Sequence, residues 1–300
     1  KEATRSHFTE PAVVKTEAEC PKGEVVISAR DLHYQYLGGI QALRGISFDI
    51  RAGELIAIVG RNGAGKSTLS KLLVGLLKPQ QGELTLFGKP ARSWKAQDLT
   101  SHISLVFQNP EHQFLTDTVK EEIEYSLLAK GITEPEEVKR QTIAYLEQLD
   151  LLKEMEIHPL ALSAGKKRRL GVATMLVGNP QFLIVDEPTY GQDKHMTITM
   201  MDLLESLNAK GIGIIMVTHD MRLIHEYCER VIVMTQGQIT YDGSTNELFA
   251  QEKILKDANL RTTLLHEIVL GLETNGVALK RPIRNTQQLT NAILEFGIWN

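Results

Sequence analysis

Lys66 and Ser67 fall near the end of the stretch Gly60-Arg61-Asn62-Gly63-Ala64-Gly65-Lys66-Ser67-Thr68, which fits the pattern G-x-x-x-x-G-K-[ST]. These residue types in this spacing suit one task, the holding of a chain of phosphates. Glycines let the backbone turn tightly, so that successive N–H groups converge on phosphate oxygens. A lysine at this point reaches the β- and γ-phosphates, and a serine hydroxyl ligates Mg²⁺. The motif implies a nucleoside triphosphate and does not separate ATP from GTP.

The flanking residues supply the elements that must position the loop. Leu55-Ile56-Ala57-Ile58-Val59 is an apolar, partly β-branched run, as expected of a buried parallel strand. Residues 69–77 carry apolar side chains at helical spacing, and a helix starting here points the positive end of its dipole at the same anion. Strand, loop and helix together form the context that confirms the motif.

The chain has 300 residues, 42% hydrophobic and 23% charged, an ordinary globular composition with room for one large domain and a smaller one. A net charge of −4 argues against a strong nucleic-acid footprint. Cys20 and Cys228 lack metal-ligand spacing and read as reduced thiols of a cytosolic protein. No apolar run approaches the ~20 residues needed to span a bilayer, and no signal peptide is present. Any membrane role is therefore expected from the cytoplasmic side, through partners. The first residue is Lys1, which suggests a piece of a longer chain or a processed form.

Residues 1–23 are polar, with Pro11 and Pro21 and no periodicity, and read as a flexible segment or linker. Strands are expected at 25–27 and 32–36, with a further pair running through 43–50 and on to the phosphate loop, so that an antiparallel β-layer leads into a parallel core. Further strands follow at 84–87 and 103–107. Helical spacing over 119–128 and 135–152 marks a helical subdomain at about 109–178. A helix opens at 162–169 and runs to about residue 177. The strand Phe182-Leu183-Ile184-Val185 carries Asp186-Glu187-Pro188 at its end. A helix over 196–208 and a strand over 212–217 follow, and the strand delivers Thr218-His219-Asp220. Residues 231–241 read as a hairpin. The alternation of strands and helices predicts an α/β fold with ligands at strand C-termini. In 251–300, amphipathic helices are expected near 255–271 and 286–296, as either a surface-packed tail or an appended helical extension.

Four separated pieces recur in a fixed order: the 60–68 loop, Gln108 ahead of Asn109-Pro110, Leu162-Ser163-Ala164-Gly165-Lys166-Lys167-Arg168-Arg169, and Asp186-Glu187 with His219. This constellation resembles the ATP-binding subunits of ABC transporters over about residues 24–250. The resemblance is specific, because unrelated P-loop proteins lack a Ser-x-Gly stretch just ahead of the Walker B strand. It implies an ABC ATPase cassette of the P-loop NTPase class, with ATP and Mg²⁺ as ligands. Gly60, Asn62, Gly63, Gly65, Lys66, Ser67 and Thr68 would surround the phosphates. Asp186 would hold Mg²⁺ together with Ser67 and Gln108. Glu187 would be the general base, working with Lys66, Gln108 and the switch histidine His219. Tyr36 resembles the aromatic that stacks on adenine, worth on the order of 1 kcal/mol. Tyr34 lies on the same face of an extended strand and leaves that choice open.

Ser163 and Gly165 match the signature motif, usually Leu-Ser-Gly-Gly-Gln, which acts in trans on ATP held by another subunit. Ala164 and Lys166 depart from it. Lys166 adds a cation near phosphate, which puts the competence of that site in question. Asp193, in Tyr190-Gly191-Gln192-Asp193, stands where the D-loop belongs, without the usual Ser-Ala-Leu-Asp.

The strings Val106-Phe107-Gln108-Asn109-Pro110, Gln113-Phe114, Thr118-Val119-Lys120-Glu121-Glu122 and Asp186-Glu187-Pro188-Thr189-Tyr190-Gly191-Gln192-Asp193 resemble energy-coupling-factor importers of vitamins and metal ions. Some members of that group carry two ATPase halves in one chain, and the linker-like start suits a second half. The resemblance implies three partners: a second cassette, a transmembrane coupling subunit and a substrate-binding membrane subunit. It places the chain at the cytoplasmic face of the cell membrane, with no nucleic-acid partner. Glu121 and Glu122 stand where basic residues of a coupling helix would meet them, or else they are solvated helix charges. Residues 251–300 would aid dimerisation. The rival readings are a soluble ABC-type ATPase not coupled to transport and a regulatory cassette with weak hydrolysis. Against a DNA-repair relative, no sustained heptads lie between Lys66 and Ser163.

Overall fold

The computed structural model of the chain describes residues 23–277, 279 and 283–295. The segment expected to be flexible over 1–23 thus lies outside the described residues, apart from Gly23. Among the described residues the strands are β1 (Val25–Gln35), β2 (Gln41–Arg51), β3 (Leu55–Val59), β4 (Gln81–Leu86), β5 (Lys89–Pro90), β6 (Ile103–Val106), β7 (Phe182–Asp186), β8 (Gly213–Val217), β9 (Arg230–Thr235) and β10 (Gln238–Ser244). They build an antiparallel sheet, β2-β1-β4-β5, and a six-stranded sheet, β10-β9-β3-β8-β7-β6. In the second sheet β9, β3, β8, β7 and β6 are parallel, and β10 closes one edge antiparallel.

Continuous apolar runs suit the parallel strands because both faces are covered. Successive side chains point to opposite faces. Ile56, Ile58, Ile184, Ile215 and Val217 join the antiparallel layer in one core. Ala57, Val59, Leu183, Val185, Ile214 and Met216 join a second core on the helical side. The parallel sheet therefore separates two hydrophobic layers.

The helices are α1 (Lys66–Leu73), α2 (Ala96–Leu99), α3 (Val119–Ala129), α4 (Pro135–Gln148), α5 (Ala164–Leu176), α6 (Lys194–Ala209), α7 (Met221–Tyr227), α8 (Thr245–Phe249), α9 (Glu252–Asp257), α10 (Leu264–Thr274) and α11 (Thr286–Glu295). Helix α3 matches its expected span, and α4 starts as expected at Pro135 but ends at Gln148, short of the expected 152. The start of α3 is fixed by a capping box: the Thr118 side chain accepts from the Glu121 N–H, and Glu121 accepts from the Thr118 N–H.

Two other expectations change. The strands read at 25–27 and 32–36 are one strand, β1, whose register shifts between Ala29 and Leu32. Asp31 sits there at φ 46°, a bulge conformation rare for a non-glycine residue and not signalled by the sequence. The helix read at 255–271 is two. Asn259 at φ 53° ends the first, and Thr263 caps the second by accepting from the His266 N–H at 3.1 Å. Val269, Ile283 and Leu289 form a small third core for this region. His225 of α7 meets Thr263 Oγ1 at 2.8 Å, which fastens the C-terminal helices next to α7. Among the described residues, no helix is long and apolar enough to cross a membrane.

Candidate active site

Four parallel strands, β3, β6, β7 and β8, end at one edge of the sheet. Residues 60–68, Gln108, Asp186-Glu187 and Thr218-His219 lie at those C-terminal ends, where ligands bind in open α/β sheets.

The loop after β3 can only be built with glycine at its two ends. Gly60 has φ 149°, and a Cβ there would lie 2.1 Å from the Met234 carbonyl oxygen. Gly65 has φ 103°, and its Cβ would lie 2.5 Å from the Ala42 carbonyl oxygen. Asn62 and Gly63 are exposed at the crown of the loop, and Ser67 is exposed at the start of α1. The Lys66 ammonium donates to the carbonyls of Gly60 at 2.7 Å and Arg61 at 3.1 Å. Burial lowers its pKa, opposed by the nearby charges of Glu187 and Asp186.

Tyr34 and Tyr36 meet edge to face, with ring centroids 5.0 Å apart. Their surroundings differ. Tyr34 packs against the core of the antiparallel layer. Tyr36 lies just past β1, and its hydroxyl is 3.2 Å from Thr68 Oγ1 in the first turn of α1. Tyr36 is thus the ring tied to the phosphate loop.

Asp186 ends β7. Burial, and then the charge of Glu187, raise its carboxyl above the usual range, while Lys66, Arg168 and Lys71 draw it down. Glu187 adopts φ 48°. Such a conformation persists only where the surroundings over-determine it, and such positions cluster at functional sites. The Glu187 N–H donates to the Val217 carbonyl at 2.7 Å. One carboxylate oxygen accepts from the Thr218 hydroxyl at 3.1 Å, and the other lies 2.6 Å from His219 Nδ1. The carboxylate is therefore oriented on both sides, and its side chain is 14% exposed against 64% for His219.

The run Lys166-Lys167-Arg168-Arg169 fans out from the start of α5. Lys166 pairs with Glu154, and Lys167 meets Glu111 at 2.5 Å. Arg169 meets Asp150 at 3.1 Å. Arg168 is buried and donates to three backbone carbonyls: Glu187, Gln108 at 3.0 Å and Tyr190 at 3.3 Å. Arg168, Thr218 and Glu154 were not singled out from sequence. The available signal for Arg168 was its place three residues after Gly165 on one face of α5, since Gly165, Arg168 and Val172 are all buried.

Glu154 engages Lys166 in the helical region. One expectation is corrected here. Glu122 is neither a solvated charge nor free for a partner, while Glu121 is exposed. Glu121 closes the capping box, and Glu122 is 2% exposed and accepts from the N–H groups of Leu115 and Thr116.

Ser163 is exposed at the N-terminus of α5, and its side chain makes no cap hydrogen bond. Gly165 is pressed against α6, where a Cβ would lie 2.3 Å from Met196 Cε. Asp193 caps α6, accepting from the Met196 N–H at 2.9 Å. Among the described residues, no hydrogen bond joins Ser163, Gly165 or Asp193 to the 60–68 loop. The structure thus gathers Lys66, Gln108, Asp186, Glu187 and His219 and sets the signature residues on α5 and α6.

Comparison with known proteins agrees with this geometry. A family model described as ABC transporter matches residues 43–190. YkoD of Bacillus subtilis (strain 168), named for HMP/thiamine import ATP binding, is 40% identical over 259 residues, 86% of this chain and 46% of that protein. An ABC transporter ATP-binding protein of Caldanaerobacter subterraneus subsp. tengcongensis is 39% identical over 245 residues, 82% of this chain and 43% of that protein. The chain spans less than half the length of these curated relatives. Among solved structures, cbiO1 from Clostridium perfringens, part of the ABC transporter complex cbiONQ, is 31% identical with a TM-score of 0.70, covering 82% of this chain and 99% of that one. The dimeric cassette MJ0796 in a post-hydrolysis state bound to ADP and Pi is 27% identical with a TM-score of 0.66, covering 73% of this chain and 98% of that one. With these matches laid over the gathered phosphate loop, carboxylates and histidine, the chain belongs to the ABC transporter family of ATP-binding proteins.

Proposed function

We propose that this chain binds ATP with Mg²⁺, hydrolyses it, and so powers an importer of the energy-coupling-factor type. The observation that carries the hydrolytic reading is the Glu187 carboxylate, held between Thr218 and His219 and close enough to Lys66 and Asp186 to shift their ionisation.

The residues fit these ligands. The backbone at Gly60 and Gly65 makes a cradle that any Cβ would fill, and no acidic residue stands in the first turn of α1. Ser67, Asp186 and Gln108 offer hard oxygen donors of the kind Mg²⁺ takes. Bound there, the ion would neutralise charge developing on the transferred phosphoryl group. Lys66 would exchange its two loop carbonyls for β- and γ-phosphate oxygens. Glu187 would orient the attacking water and take its proton at the carboxylate. His219, with Nδ1 on Glu187, keeps Nε2 for the γ-phosphate. Tyr36 would stack on adenine. Ser163, exposed at a helix N-terminus, would complete the site of a second cassette.

The importer assignment rests on the Gln108-to-Glu122 string and on the likeness to cbiO1 and YkoD. Transmembrane and substrate-binding partners, and a place at the cytoplasmic membrane face, follow from that reading. The regulatory reading drew on Ala164 and Lys166, and the Glu154 pairing weakens the part that rests on Lys166.

Steady-state ATP turnover of the wild type and of Glu187→Gln tests the hydrolytic reading. Loss of a general base predicts a fall of about 100-fold or more with ATP still bound. Equally slow turnover in both proteins would discard it.

A further inference from the structure

The three carbonyls on Arg168 belong to two segments. Gln108 follows β6, Glu187 follows β7, and Tyr190 leads towards Asp193 and α6. Arg168 itself belongs to α5, the helix headed by Ser163. Its guanidinium is buried, and the planar fork offers five N–H donors, enough to serve several acceptors at once. The Glu187 carbonyl also accepts from the Tyr190 N–H at 3.2 Å. The left-handed backbone of Glu187 is therefore pinned at its N–H by Val217 and at its carbonyl by Arg168 and Tyr190. A strained residue needs such over-determination, and Arg168 supplies the part that comes from another element.

We propose that Arg168 is a positioning residue that locks the backbones of Gln108, Glu187 and Tyr190 to the start of the helix headed by Ser163, and so holds the Glu187 carboxylate in place. Its effect on turnover rests on the hydrolytic reading above; the lock itself does not. The Arg168 guanidinium is engaged by backbone carbonyls and acts through the groups it holds. Placement of a base within a fraction of an ångström governs rate far more than it governs affinity. Loosening Glu187 should therefore lower kcat and spare ATP binding.

The test uses Arg168→Lys and Arg168→Met in the whole chain, with melting curves to establish folding. Lysine keeps the charge and loses the fork; methionine keeps much of the volume and loses both. The first readout is backbone hydrogen exchange over 107–109 and 187–191, which needs no turnover. The second is kcat set against the affinity for a fluorescent ATP analogue. Faster exchange in both segments is expected, with kcat down about tenfold or more and affinity within about threefold. Lysine should do less damage than methionine. If methionine fails to fold, lysine carries the test. A folded Arg168→Lys protein with wild-type exchange overturns the lock, whether or not the wild type hydrolyses ATP. A loss of affinity equal to the loss of kcat overturns the positioning role. Wild-type turnover that does not depend on Glu187 counts against the hydrolytic reading alone.

Discussion

At the scale of single residues, Lys166 shows how a departure from a motif can be absorbed by its surroundings. The usual residue at this position is a glutamine. Here the ammonium is matched by Glu154, a mostly buried carboxylate at the end of a short turn over 152–154. The same turn region receives the N–H groups of Val119 and Lys120 on the carbonyls of Ile157 and Met155. Lys166 thus joins α5 to the start of α3. Lys166→Gln should leave ATP turnover within about threefold of wild type, because the charge it removes serves packing. Stability should fall by about 1 kcal/mol or less, as for other partly exposed ion pairs. Turnover and chemical denaturation measure the two effects. A tenfold loss of turnover at unchanged stability would show instead that the lysine serves phosphate in the working assembly.

At the scale of elements, Glu122 carries more than its place in an acidic first turn suggests. Its carboxylate is buried and takes the N–H groups of Leu115 and Thr116, which fixes the segment between Gln113 and α3. Glu122→Ala strands both donors and should destabilise the protein by about 2–3 kcal/mol, whereas Glu122→Gln retains an acceptor oxygen and should cost about 1 kcal/mol. Urea titration of the two variants decides this, and an alanine variant as stable as wild type would refute the role. What was legible in this region was local. Helical spacing over 119–128 announced α3, and helical spacing from 135 announced α4. The long apolar runs announced β3, β7 and β8. What was not legible depended on burial or on rare backbone states. Asp31, Glu187 and Asn259 adopt positive φ without being glycine, so the β1 bulge and the break before α10 left no compositional mark. Glu122 read as a partner-facing or solvated charge, and Arg168 received no role of its own, because their partners are backbone groups, which a sequence does not display.

At the scale of the whole molecule, the parallel strand order brings Lys66, Gln108, Asp186, Glu187 and His219 to one edge, while Ser163 faces outward from α5. Gly165 and Asp193 are both held by Met196, so the signature end and the D-loop end are fixed to each other through α5 and α6. One chain therefore offers a phosphate-holding surface and a separate exposed helix N-terminus with a free hydroxyl. Two copies related by a twofold axis would satisfy both, each Ser163 facing the other copy's phosphate loop, as isologous pairing requires. Glu187→Gln should trap this state by stopping hydrolysis. Adding ATP with Mg²⁺ should shift the purified Glu187→Gln protein from monomer to dimer on a sizing column, and adding Ser163→Arg should abolish the shift while leaving ATP bound. A protein that binds ATP and stays monomeric would show that the Ser163 surface is built for a different cassette. In that case, mixing with candidate cassettes should restore the dimer only with the one whose phosphate loop accepts Ser163.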